Sequence, residues 1–118
     1  MEDYNISNLK ITISETEDSL IMIWKGSSDS ANPGDDLNPY FQDNVVNFQN
    51  KKLMIDFSEL EYMNSSTVPP IIKLIGLLNS KNITTTIIYL KDSNWQRTSF
   101  KALESIVKSM NNIEVTGK

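Results

Sequence analysis

Cysteine and histidine are both missing from this chain of 118 residues. Without cysteine there is no disulfide, no thiolate nucleophile and no sulfur-bound zinc. Without histidine there is no Ser-His-Asp triad, no imidazole base and no imidazole metal ligand. An excess of positive charge is missing as well. Eleven Lys and Arg stand against fifteen Asp and Glu, a net charge of -4, and no basic stripe marks a duplex nucleic-acid binder. No apolar run approaches the roughly 18 residues that cross a bilayer. The opening "MEDYNISNLK" is acidic and polar, unlike a secretory signal. Neither G-x-x-x-x-G-K-[ST] nor G-x-G-x-x-G is present, so no phosphate-cradling loop is expected. These absences predict a cytoplasmic, non-enzymatic domain that uses no cofactor and no metal and makes no contact with membrane or nucleic acid. The length suffices to bury a core without staples.

What is there alternates between two periods. Leu9, Ile11 and Ile13 recur every second residue, "SETEDS" is a polar turn, and Leu20 to Trp24 is a continuous apolar run, which together predict a hairpin. Gly26 and "SSDSANPGDD" predict the longest loop. Asn38 as cap and Pro39 at the first helical position predict a helix with Leu37, Phe41, Val45 and Phe48 on one face. "KKLMIDF" reads as a strand. "VPPIIKLIGLLNS" reads as a helix with Val68, Ile71, Ile72, Ile75 and Leu78 on its apolar stripe. The β-branched "ITTTIIYL" reads as a strand. Ser93 and Gln96 have capping-box spacing before a helix facing inward through Phe100, Leu103, Val107 and Met110, and "IEV" is a short final strand. The order β-β-α-β-α-β-α-β predicts one α/β domain over residues 1–118, with a mixed, mostly parallel sheet, helices packed on it and right-handed crossovers. Residues 1–8 and 116–118 are expected to be loose ends.

The stretch "LEYMNSSTVPP" joins the Lys52–Phe57 strand to the following helix. The prolines constrain its geometry. With Thr67 as the cap, Pro69 and Pro70 occupy the second and third helical positions, whose amides have no intrahelical acceptor. With Ser66 as the cap, Pro70 falls one place too far. A plain capping role for these hydroxyls is one reading. The other is a phosphorylation switch, since a helix start tolerates added negative charge. The prolines oppose it somewhat by removing amides that would hold a phosphate.

The segment "KKLMIDFSELEYMNSSTVPPIIKLIGLLNSKNITTTIIYL" resembles the STAS domain of bacterial anti-sigma factor antagonists. Their pattern is an apolar strand ending in Asp, an aromatic or apolar approach, and Asp-Ser-Ser opening an amphipathic helix. Lys52 to Phe57 match the strand, Asp56 its acid, Tyr62-Met63 the approach and Asn64-Ser65-Ser66 the motif. Gly26 and "SNWQRTSFKALESI" also suit the pattern, which covers the chain from Leu9 onward. The resemblance implies a STAS-like switch that a partner kinase, itself an anti-sigma-like regulator, phosphorylates and a PP2C-type phosphatase resets. Ser66 matches the usual phosphoserine, with Ser65 and Thr67 as neighbours. Asn64 replaces the usual Asp, and Thr67 and Pro69 replace small glycines. The SiaC-like regulatory phosphoproteins carry Asn-Thr-Ser here, and in that alignment the acceptor is Ser65. The candidate partner-binding residues are Asp56, Asn64, Val68 on the switch helix, and Trp95.

Other features read as structure. Asp56, Glu59 and Glu61 form a solvated acidic loop, in which Asp56 alone suits a turn or partner contact. "NPGDD" is a loop without the spacing of a calcium site. Trp95 is either an exposed interface anchor or a cover over a helix end, and Trp24 belongs to the core. A constitutive STAS-fold adaptor without phosphorylation is the alternative function.

Overall fold

Alternation on one side of the chain and a switch to helical period on the other produce two layers. The computed structural model describes residues 3–118. β1 (Tyr4–Ile6), β2 (Leu9–Glu15) and β3 (Ser19–Ser28) form an antiparallel meander. Helix α1 (Gly34–Val45) leads to β4 (Lys52–Asp56) and β5 (Leu60–Met63). A short 3-10 turn (Ser65–Thr67) opens α2 (Val68–Ser80), and β6 (Thr85–Tyr89), α3 (Asn94–Val107) and β7 (Ile113–Gly117) follow. The strand order is β1-β2-β3-β4-β6-β7, parallel from β3 onward, while β5 pairs with the far half of β3. The sheet is therefore mixed and mostly parallel, as expected.

Residues at every second position of the sheet, among them Leu20, Met22, Trp24, Leu53, Ile55, Ile87 and Tyr89, are buried under the helices. An aromatic row runs through this layer. Phe41 of α1 lies 6.0 Å from Trp24, Trp24 lies 4.8 Å from Phe57, and Phe100 of α3 lies 4.7 Å from Phe57 and 5.6 Å from Tyr89. Such ring pairs add about 0.5–1.5 kcal/mol each beyond their area. Helix α2 packs beside α1. On the opposite face Ile21, Ile23 and Ile88 are half-buried and Met54 is exposed, and among the described residues no helix covers it.

Several expectations need correction. Helix α1 starts at Gly34, not after Asn38, so "NPGDD" is its first turn and Pro39 lies inside it. Asp35 and Asp36 there favour the positive helix end, and the Leu37 amide bonds the Pro33 carbonyl at 2.9 Å. Phe48 and Met110 lie beyond their helices, although Phe48 is fully buried. The expected long loop shortens because β3 runs on to Ser28, and β5 is an additional strand. Of the ends expected to be loose, residues 4–6 pair with β2 and residues 116–117 pair with β6. Met1 and Glu2 lie outside the described residues.

Two residues aim the β5 segment. Gly26 has φ +86°, and a Cβ there would sit 2.1 Å from the Asn8 carbonyl oxygen. Only glycine allows this close approach, and the register of β3 against β5 shifts at this point. Gln96 does not close a capping box. The Ser93 side chain makes no cap bond. The Gln96 amide turns inward instead, donating to the Phe57 and Leu60 carbonyls at 2.9 Å each and accepting from the Leu90 amide at 2.7 Å. It thereby pins the corner between β4 and β5 to the end of β6. Gln96→Leu strands the Leu90 amide and takes a donor from the Phe57 and Leu60 carbonyls, the first of which still accepts the Leu60 amide at 3.0 Å. It is expected to lower unfolding free energy by about 2–4 kcal/mol, measured by urea titration at unchanged slope. A loss under about 1 kcal/mol would mean that the corner holds itself.

Candidate functional site

The site is built where the ends of β3 and β5 meet the start of α2. Asn64 is extended (ψ 168°) and closes the 3-10 turn, its carbonyl accepting the Thr67 amide at 3.1 Å. Thr67 then stands at the cap position of α2, with Pro69 and Pro70 second and third in the helix, as the proline spacing predicts. Its hydroxyl caps nothing, however. A capping oxygen accepts from the second or third helical amide, and both are prolines with no hydrogen to give.

That hydroxyl turns inward. Thr67 is fully buried and lies 2.7 Å from the Ser28 hydroxyl and 2.8 Å from Asn64 Oδ1. Since Asn64 Oδ1 can only accept, Thr67 donates to it and Ser28 donates to Thr67. Asn64 Nδ2 donates onward to the Ser30 carbonyl at 2.7 Å, and the Asn64 amide bonds the Ser28 carbonyl at 2.9 Å. The network joins the end of β3, the loop after it and the helix start. It also explains asparagine at position 64, because an aspartate would set a carboxylate oxygen against the Ser30 carbonyl.

The three candidate hydroxyls therefore separate. Thr67 is fully buried, and its hydroxyl is engaged by Ser28 and Asn64. Ser65 and Ser66 are exposed. Ser66 also lines a groove of about 460 Å³ between the starts of α1 and α2, together with Asp35, Asn38, Pro69, Pro70 and Lys73. Of the expected partner contacts, Asn64 is half-buried in the network and Val68 is half-buried against the core. Asp56 lies at the end of β4. One of its carboxylate oxygens accepts the Ser58 amide at 2.8 Å and the other is 3.7 Å from Lys118 Nζ, so it shapes the turn. Trp95 is half-buried and packed on the core, as a cover over the helix start. Glu59 pairs loosely with Lys25 at 3.9 Å. Tyr62, 50% exposed on β5, is an apolar surface close in sequence to the serines that the motif treats only as an approach residue.

Ser28 and Lys73 belong to the site and were not expected there. Ser28 reads as loop, and its role depends on the bend at Gly26. Lys73 lies seven residues beyond Ser66, a helical spacing that could have revealed it.

Thr67→Val keeps the shape but strands Ser28 Oγ and Asn64 Oδ1, at an expected cost of about 1–3 kcal/mol. Ser28→Ala removes only the terminal donor and should cost less. Asn64→Asp should be destabilised at neutral pH and regain stability on acidification. The neutral acid can donate to the Ser30 carbonyl, so its folded-state pKa is raised and stability falls as pH rises through it. Thermal melts of the three variants between pH 4 and 8 test the order. Equal melting for Thr67→Val and wild type would refute the network.

No family model matches the chain, and no curated protein matches it. Solved structures do. An anti-sigma factor antagonist from Mycobacterium paratuberculosis superposes with a TM-score of 0.63 at 12% identity, over 90% of this chain and 85% of that one. An uncharacterised DUF3478-family protein with a SpoIIAA-like fold from Shewanella loihica superposes with a TM-score of 0.56 at 14% identity, over 98% and 91%. The chain has the STAS, or SpoIIAA-like, fold.

Proposed function

We propose that this chain is a non-enzymatic signalling switch of the anti-sigma factor antagonist type, working by reversible phosphorylation of Ser66 or Ser65 and by binding a protein partner. The observation that carries this reading is the division of labour at the helix start. Thr67 holds the turn from inside, while Ser65 and Ser66 are exposed. A kinase would transfer the γ-phosphoryl group of a nucleoside triphosphate to the serine oxygen. The O–P bond forms as the β–γ bridge breaks, the hydroxyl proton departs and the diphosphate leaves. Hydrolysis by a PP2C-type phosphatase would restore the hydroxyl and release inorganic phosphate. The added charge of about -1.5 to -2 acts on a surface of exposed Tyr62 and Pro69 and half-buried Val68. A partner that covers this patch when it is neutral must desolvate the phosphate when it is charged. Among the described residues no helix is long and apolar enough to cross a membrane, which suits a partner met in the cytoplasm.

A constitutive adaptor is the second reading, favoured by the tandem prolines, which delete two amides that would otherwise hold a phosphate. Phosphopeptide mass spectrometry over residues 64–73, on protein from its native cells under several growth conditions, separates the two. The switch predicts a phosphate on Ser66 or Ser65 whose occupancy changes with condition, and a Ser66→Ala, Ser65→Ala double variant that stays partner-bound throughout. Complete coverage with no phosphate, and equal partner binding by Ser66→Asp and Ser65→Asp, would leave the adaptor.

A further inference from the structure

The prolines raise a physical question about any phosphate placed here: with the amides of positions 69 and 70 gone, which group would hold it? We propose that the Lys73 ammonium receives a phosphate on Ser66, drawing it into the groove between α1 and α2. The proposal rests on phosphorylation as the mode of control and assigns the acceptor and its counter-charge.

Ser66, Pro70 and Lys73 follow one another at intervals of four and three residues, so they share one face of the helical segment. All three line the same groove. The axial separation from Ser66 to Lys73 is about 10 Å at helical rise. Helical Cα–Cβ bonds lean toward the N-terminus, so the lysine stem runs back toward Ser66. A four-carbon ammonium stem reaching back and a phosphoserine reaching forward close that span. Lys73 is exposed and forms no ion pair among the described residues. Its only charged companion in the groove lining is Asp35. That carboxylate opposes the phosphate and limits the gain. Ser65 is not part of the lining, so a phosphate there has no such partner. Phosphorylation of Ser66 would thus turn an open groove into a filled one, with Lys73 withdrawn from any partner.

The test installs phosphoserine at position 66, or at 65, by suppression during translation. No kinase is needed, so its outcome is independent of whether cells phosphorylate the chain. The phosphorus NMR titration of each protein is then followed. The phosphate at 66 is expected to take its second charge about half a pH unit lower than the phosphate at 65, the size of an exposed ion pair. Lys73→Met keeps the stem, removes the charge and should erase the difference. Asp35→Asn should widen it. Identical titration of the two phosphoserines, or a Lys73→Met profile that matches wild type, would overturn the proposal. Both substitutions are at exposed positions, and far-UV circular dichroism verifies the fold.

Discussion

Two adjacent prolines at the start of α2 determine how everything around them is held. Pro69 and Pro70 fit the helix because its second and third amides would be unbonded in any case, yet they also remove the groups a capping hydroxyl needs. Thr67 therefore seeks partners beneath the helix and finds Ser28 and Asn64. The start of α2 is tied to the sheet instead of being capped. For Ser28 to be there, β3 must run past the end of its pairing with β4, and the register shift at Gly26 carries it to β5. A glycine in a strand and a buried threonine at a helix start are parts of one device.

The corner between β4 and β5 supplies the second point of support. The Asp56 carboxylate closes the turn from one side and the Gln96 amide holds two carbonyls from the other. Gln96 belongs to α3, whose Phe100 packs on Phe57 and Tyr89. The helix that anchors the core thus also locates the strand leading to Ser65 and Ser66. With the backbone over-determined at both ends, the serine hydroxyls have no structural task that the network does not already perform.

The strands with β-branched runs and most of the three helical stripes were legible in the sequence because period and burial agree there, although α2 buries Leu74 where Val68 and Ile72 were expected and are only half-buried. The α2 boundary was legible because proline has few permitted places in a helix. Legibility ended where a tertiary contact overrides local preference. "NPGDD" carries every sign of a turn, but the burial of Leu37 and the two acids at the helix start extend α1 across it, Pro39 included. Ser93 and Gln96 have cap spacing, and the Phe57 and Leu60 carbonyls of the neighbouring corner claim the glutamine instead. Thr67 could not be told from Ser65 and Ser66 by type. Its burial depends on Ser28, 39 residues away. The acidic residue that ends a strand was visible, and the helical spacing from Ser66 to Lys73 was there to be read, but only the groove shows that both residues line one surface.

Asparagine at position 64 bears on the electrostatics as much as on the geometry. A carboxylate there would stand one residue from Ser65 and two from Ser66, and would repel any phosphate added to them. The neutral amide keeps the hydrogen bonds of the turn without that charge. Among the residues lining the Ser66 groove, charge then reduces to Asp35 and Lys73, one of each sign. A single dianionic group can shift so even a balance decisively, since its charge exceeds either neighbour's. In the switch proposed here, a neutral Asn64 would leave a phosphate unopposed from that side, and the prolines, by removing competing amides, would leave Lys73 as the cation to receive it.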